Sequence, residues 1–558
     1  MTKSSSENTP AQTLRFGVMV SGNTLQQWQA ESIKLLLKTG VAECKLLITE
    51  HNNNKKQSTG QKIKKYFSRT GFYQFYLRTF FRPKAKQKIS IQNILPDTTK
   101  KIFCRTTKKG FSEYFNQADI KKIRSEELDF ILRYGFNIIR GEILQAARYG
   151  VWSFHHDDEK KYRGGPPGFW EIMKNDPVTG SILQRLTEKL DAGIIIKKGY
   201  FSTVKHSYQG QIDNLYFETA RWPAQAVNDI INHAAEYLYS PPSKTKAEIF
   251  KTPNNFQTTI FFLKLLKNKL LFHYQELFKP EQWNIAVKQK ELSHWLPFPD
   301  GNRFFADPFA VKVDKKLHIL FENYDYRTQK GVIAQTTFTN GKYGKIKTAL
   351  EEPFHLSYPF LFKYDKRFYC IPETVAGGEI RLYEYLPEEE TLTFKKVLIP
   401  NFKGADPTLI FYNKKWWLFT THYKSSNTEL YIFYAENPFG PFKPHIKNPV
   451  KTDIRNARPG GTPFFINNTL YRPAQNSSET YGQNVVLNRI IKLSETEFEE
   501  IAKEDILPEK YSVFKKGLHT FSKIDDLIII DGKRFKFNLW NFKHQFLKKY
   551  GRIRKKQL

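Results

Sequence analysis

Gly150–Ile194 reads GVWSFHHDDEKKYRGGPPGFWEIMKNDPVTGSILQRLTEKLDAGI. Val151-Trp152-Ser153-Phe154 is a short apolar strand that delivers His155. Arg163-Gly164-Gly165-Pro166-Pro167 is a glycine/proline turn, Gly180 opens a further strand, and Asp191-Ala192-Gly193 closes the stretch. Upstream, Arg15–Val20 is an apolar run ending in Ser21-Gly22-Asn23, Trp28–Leu37 has helical periodicity, and Cys44–Ile48 is a second strand, which makes a β-α-β beginning. Asp129–Leu132 reads as another strand and Gly141–Arg148 as a short helix. Alternating strands and helices imply a parallel sheet of Rossmann type, with ligands at the carboxyl ends of its strands.

The order strand, His155, Arg-Gly-Gly-Pro-Pro, glycine-opened strand and Asp-x-Gly resembles the catalytic domain of the formyltransferases that act on methionyl-tRNA or on amino sugars. The likeness runs from about Leu14 to Ile231 and is specific in Glu126–Gly193. It implies a formyl transfer from 10-formyltetrahydrofolate to an amine, through a tetrahedral oxyanion that needs a hydrogen-bond donor and a base. Under the resemblance, His155 serves as base or donor and Asp191 orients it. Arg163, Gly164, Gly165 and Pro166 would form the donor-binding turn. Ser153 stands where the family has asparagine, so its single hydroxyl must reach the oxyanion directly or through a water. The apolar loop that follows in the family is replaced by His156-Asp157-Asp158-Glu159-Lys160, which places His156 and Asp157 as contacts to a different acceptor. An ordinary buried strand end that happens to carry two histidines, with Asp191 capping a turn, is the competing reading.

The 558 residues, 40% hydrophobic and 15% aromatic, suffice for two cores. The expected division is 1–13 as a disordered N-terminus and 14–240 as the formyltransferase-like domain, with a basic insertion at 51–110. Then come 241–282 as linking helices, 283–532 as a propeller and 533–558 as a basic tail. Cys44, Cys104 and Cys370 have neither disulfide nor zinc spacing. The N-terminus has no signal-type apolar core, so a cytoplasmic location is expected, with peripheral attachment at the inner membrane face as its extension.

The net charge is +33. Lysine and arginine mixed with tyrosine and phenylalanine between Lys55 and Lys109, and again from Lys533 to Lys556, suit an anionic membrane surface. Nucleic acid and a merely solvated insertion are the alternatives.

Beyond Ser240 the pattern becomes all β. Strand pairs starting near Asp307, Pro359, Asp406, Pro463 and His519 recur at roughly 50–60 residues, the range of four-stranded propeller blades, and five units imply five blades. The blocks Ala306–Phe309, Ser357–Phe360, Ile371–Thr374, Ala405–Pro407, Ala457–Gly461 and Tyr471–Asn476 resemble the propeller of the glucosamine inositolphosphorylceramide transferase family, over about Trp295–Glu500. The resemblance implies work near glycolipids or glycans. Asp307, Glu373 and Asp406, read as starting the inner strands of successive blades, together with Arg458 and Arg472, are the candidate saccharide contacts. Asp-Pro corners also have a purely structural use. The expected function is formyl transfer to an amino sugar on a nucleotide or lipid carrier, with the propeller holding the saccharide. The alternatives are a catalytically degenerate glycan-binding protein at a membrane face, and a glycosidase or glycosyltransferase at the propeller axis.

Overall fold

The computed structural model describes residues 13–50, 68–189, 192–298 and 301–554. The chain divides into two compact units, one comprising residues up to Gly199 with Thr203–Lys267, the other Tyr200–Ser202 with Asn268–Leu558. The division falls inside a single helix, Asn255–Phe278, so the expected linker is one continuous helix preceded by the short strand Ile249–Phe250.

Unit 1 is built on a seven-stranded sheet. Its order is Ile194–Ser202, Val178–Arg185, Val151–His155, Phe130–Arg133, Leu14–Val20, Ala42–Glu50 and Lys100–Cys104. The five strands from Val151–His155 to Lys100–Cys104 are parallel, while Val178–Arg185 runs antiparallel to Val151–His155. Phe16, Val18, Met19 and Val20 are all buried, as a central strand covered on both faces requires. Gly135 follows the Phe130–Arg133 strand where a Cβ would stand 2.2 Å from the Ser21 nitrogen, so no side chain fits there. Of the basic insertion expected at 51–110, Lys100–Cys104 is the edge strand of this sheet. Residues 51–67 of that insertion lie outside the described residues, as does Asp191.

Unit 2 is propeller-like. Among the described residues it holds five antiparallel sheets, beginning with the strands Arg303–Val313, Ser357–Tyr364, Gly404–Tyr412, Phe464–Ile466 and Phe521–Ile524. The two-residue hairpin turns Asp365-Lys366, Asn413-Lys414 and Asn467-Asn468 have positive φ at both residues, the conformation that keeps twisted strands paired and that Asn and Asp tolerate best. Apolar layers separate successive sheets. Trp417 and Phe419 of the third pack with Leu470 and Ile490 of the fourth; Val485 and Leu487 of the fourth pack with Ala286 and Ile530 of the fifth. Ile285 and Ile529 of the fifth then pack with Phe305 and Ile319 of the first. The fifth sheet joins both ends of the unit, since Leu527–Phe535 pairs with Glu281–Gln289, matching Phe535 to Glu281 and Leu527 to Gln289. Lys533–Phe535, expected in the basic tail, is therefore sheet, and the tail proper is the helix Leu539–Arg554.

Candidate active site

Arg133 and Ser153 are register partners on adjacent parallel strands, near the carboxyl ends where such sheets bind ligands. The Arg133 guanidinium donates from Nε (3.3 Å) and Nη2 (2.9 Å) to Ser153 Oγ, while Nη1 donates to the carbonyls of Phe136 (3.1 Å) and Asn137 (2.9 Å). Ser153 Oγ thus receives two charge-assisted hydrogen bonds, which turn its own proton away from Arg133 and polarise the O–H. A cavity of about 390 Å³ lies here, lined by Arg133, Arg140, Ser153, His155, Gly164 and Gln184 among others. That is within the usual size of a small-molecule site. Gly193, the glycine of the Asp-x-Gly motif, permits a close approach, because a Cβ there would stand 2.2 Å from Gln184 Oε1. A larger hollow of about 760 Å³ opens where the same strands begin, lined by Asp129, Gly150 and Arg185, and includes none of the motif residues.

Two expected substrate contacts turn inward instead. His156 is 6% exposed, stacks on Tyr216 at 3.8 Å and reaches Thr219 Oγ1 through Nε2 at 3.2 Å. Burial, reinforced by His155 and Lys86, holds its pKa well below the ordinary histidine value. Asp157 is buried beside Glu171; burial and the Glu171 carboxyl push Asp157 well up, and burial raises Glu171 to about 7. Asp158 and Glu159 are also held inside, by Lys198 at 3.2 and 2.9 Å. The loop after His155 is therefore an interior anchor, because its acids find partners and apolar cover within the unit. Of the expected donor-binding turn, Gly164 lines the cavity, whereas Arg163-Gly164 also pairs with Ile249–Phe250 and Arg163 Nη1 bonds Ala247 O; Arg163, Gly165 and Pro166 do not line it.

Unit 2 gathers a second set of residues. Asp307, Tyr358 and Asp406 occupy equivalent bulges near the starts of the first three sheets, with φ of 53°, 46° and 50°. Glu373 does not start an inner strand as expected. It ends the second strand of its sheet, opposite Ser357, and Tyr358 takes the corner. Glu322 holds the matching position opposite Ala306. Arg458 binds both Asp406 oxygens (Nε 2.6 Å, Nη2 3.1 Å) and lies 3.6 Å from Glu373; Gln475 also donates to Asp406 at 2.6 Å. His519 bridges Asp307 (Nε2, 3.2 Å) and Asp531 (Nδ1, 2.5 Å), and although burial opposes its charge, the two carboxylates outweigh this and raise its pKa. Burial pushes Asp307 to about 6, Glu373 to about 8 and Glu322 well above the carboxyl range, each reinforced by neighbouring acids. The Glu373 and Arg458 side chains keep 14% and 12% of their surface, against 2% for Asp406, so this pair forms the open side of the cluster. Arg472 stands apart from it: it is 1% exposed, paired with Glu500 at 2.6 Å and bonded to the carbonyl of Asn456, which makes it a structural strut rather than a saccharide contact.

Sequence reasoning missed Arg133, Glu322 and the His519–Asp531 pair. The available signals were a charged residue directly ending the buried run Phe130–Leu132, and an acid after His318–Phe321 matching the one after Tyr369–Pro372.

The acid cluster and most of the corners that shape it lie between Asp307 and Asp531. Residues 296–521 match the family "Glucosamine inositolphosphorylceramide transferase 1, N-terminal". The glucosamine inositolphosphorylceramide transferase 1 of Oryza sativa subsp. japonica is 37% identical over 208 residues, covering 36% of this chain and 28% of that protein. A methionyl-tRNA formyltransferase of Agathobacter rectalis is 30% identical over 122 residues, covering 22% of this chain and 39% of that enzyme. The chain thus spans well under half the length of the curated relatives it matches. Among solved structures, Zg3597, a family 117 glycoside hydrolase of Zobellia galactanivorans, aligns with a TM-score of 0.32 at 14% identity, over 47% of this chain and 92% of that one. That score is too low to speak for a common fold.

Proposed function

We propose that the protein is a transferase that moves a formyl group from 10-formyltetrahydrofolate to the amine of an amino sugar or a lipid-linked saccharide. Unit 2, a five-bladed propeller on this reading, holds the saccharide. The observation that carries the proposal is the meeting of His155, Ser153 and Arg133 in one cavity at the carboxyl ends of the parallel strands. The match to methionyl-tRNA formyltransferases over part of the chain supports it.

In this mechanism the acceptor amine attacks the formyl carbon, and the new C–N bond forms as the carbonyl oxygen takes up negative charge. The Ser153 hydroxyl, its oxygen held by Arg133, donates to that oxygen and replaces the amide the family uses. His155 accepts the amine proton, with Asp191 assigned to orient it by its place in the motif. Collapse of the intermediate breaks the bond to the folate nitrogen, which leaves with the proton that His155 returns to it. In unit 2 the Glu373–Arg458 edge offers an acceptor and a donor for sugar hydroxyls.

Calorimetry with a stable 10-formyltetrahydrofolate analogue tests the proposal. Micromolar binding is expected for the wild type and for His155→Ala, with transfer abolished in the variant. Ser153→Ala should leave donor affinity unchanged and slow transfer by about 10²–10³, the usual cost of one oxyanion donor. Absence of donor binding by the wild type would overturn the proposal. A second reading, hydrolysis in unit 2, is favoured by Glu373 holding its proton to about 8. It requires glycosidase activity that Glu373→Gln abolishes and His155→Ala leaves intact.

A further inference from the structure

The helix Asn255–Phe278 buries little; Thr258 and Phe261 are its buried residues, with Phe261 stacked on Phe169 at 4.2 Å. On the face away from Phe261, Phe256, Leu263, Leu266, Leu270, Tyr274 and Phe278 follow one another at spacings of three, four and seven. These spacings keep a row on one side of an α-helix. Their exposure is large, 74% at Phe256, 64% at Leu263 and 63% at Leu270. Single exposed leucines are ordinary, but a row along a whole helix marks a surface that meets something apolar.

Charge identifies the occupant. Lys267 and Lys269 are exposed on this helix, Lys279 is exposed just after it, and its acid Glu276 lies 3.4 Å from His273. Each end is flanked by a further basic, aromatic helix. Gly71–Thr79 packs Tyr76 on Phe262 at 4.9 Å and exposes Phe72 and Phe75 beside Arg78. Leu539–Arg554 packs Phe542 on Phe278 at 5.6 Å and exposes Leu539, Trp540, Phe546 and Leu547 near Lys543 and Lys548. Among the described residues, no helix is long and apolar enough to cross a membrane. An exposed apolar row that carries Lys267 on the same face, its long stem able to lift the ammonium to the headgroups, suits lying in the headgroup plane.

We infer that Asn255–Phe278 is a membrane-surface helix that seats the protein on an anionic phospholipid bilayer. This surface is distinct from the transfer cavity, and its test does not involve folate.

Flotation with vesicles of equimolar phosphatidylcholine and phosphatidylglycerol, against phosphatidylcholine alone, tests it on the full chain. The wild type should float with the anionic vesicles and be released by salt. Leu263→Ser/Leu266→Ser/Leu270→Ser, which alters exposed positions, should bind at least about tenfold more weakly with an unchanged circular dichroism spectrum, and Lys267→Glu/Lys269→Glu should weaken binding to anionic vesicles. Should the triple variant unfold, Leu266→Trp takes its place, and its fluorescence should shift to the blue on vesicle addition. Wild-type protein left unbound, a folded triple variant that binds as the wild type does, or a tryptophan whose emission does not shift would overturn the inference. So would a wild-type dimer that the triple variant converts to monomer without any lipid binding, since a second copy would then cover the stripe.

Discussion

His156 uses its imidazole as an aromatic plate. The stack on Tyr216 and the contact with Thr219 both suit a neutral ring, and protonation would leave a charge buried near Lys86. Its folded pKa lies below the unfolded value of about 6.5, so its contribution to stability is full above that value and is lost as pH falls toward the folded one. His156→Phe should keep the stack and lose less stability than the wild type between neutral pH and about pH 5, as thermal melts at the two pH values would read. An equal loss in both proteins would show that the ring does not govern acid sensitivity. His155 and Ser153 were legible because one short strand carries both. Arg133 was not, since its pairing with Ser153 exists only once two parallel strands have set their register, and nothing local in the sequence encodes that. The inward course of Asp157, Asp158 and Glu159 was hidden for a related reason. Their partners, Glu171 and Lys198, come from other elements.

At the scale of elements, the bulged corners of unit 2 set where acids point. Asp307 and Asp406 adopt the left-handed conformation that Asp tolerates better than most side chains, and Tyr358 is held there by hydrogen bonds from Gly461 N to its hydroxyl and between that hydroxyl and Thr408. The acids so gathered titrate high. Because the folded pKa values of Asp307 (about 6) and Glu373 (about 8) are raised, their contribution to stability is full below the ordinary carboxyl range and is lost as pH rises through those values. Urea denaturation should therefore find unit 2 weaker at about pH 9 than at about pH 6, and Glu373→Gln should flatten the upper part of that decline. An unflattened profile would remove Glu373 as its source. Strand pairs and turns were legible from apolar runs broken by Asp, Asn and Lys. Glu373 was legible as a candidate beside Asp307 and Asp406, whereas Glu322 and His519 were not, because they come to Asp307 from the second strand of the first sheet and from the loop before Phe521–Ile524.

At the scale of the whole molecule, the least legible feature was the pairing of Glu281–Gln289 with Leu527–Phe535. The repeat spacing revealed five strand pairs but gave no sign that the fifth sheet takes strands from both ends of its unit. Deleting residues from 519 onward removes two strands of that sheet and exposes Ile285, Ala286 and Val287. The truncated chain should lose the unfolding transition of unit 2 in differential scanning calorimetry while retaining one from unit 1. Retention of both transitions would show that the fifth sheet does not hold unit 2 together.

That pairing also sets an order of events during synthesis. The partners of Glu281–Gln289 leave the ribosome some 250 residues later, roughly ten to fifty seconds at ordinary elongation rates. Through that interval the strand has an open edge beside nascent sheets of the same pattern, and unit 1 has long been translated. Slowing translation late in the message would prolong this exposure, so the yield of native protein depends on how quickly the last strands are made.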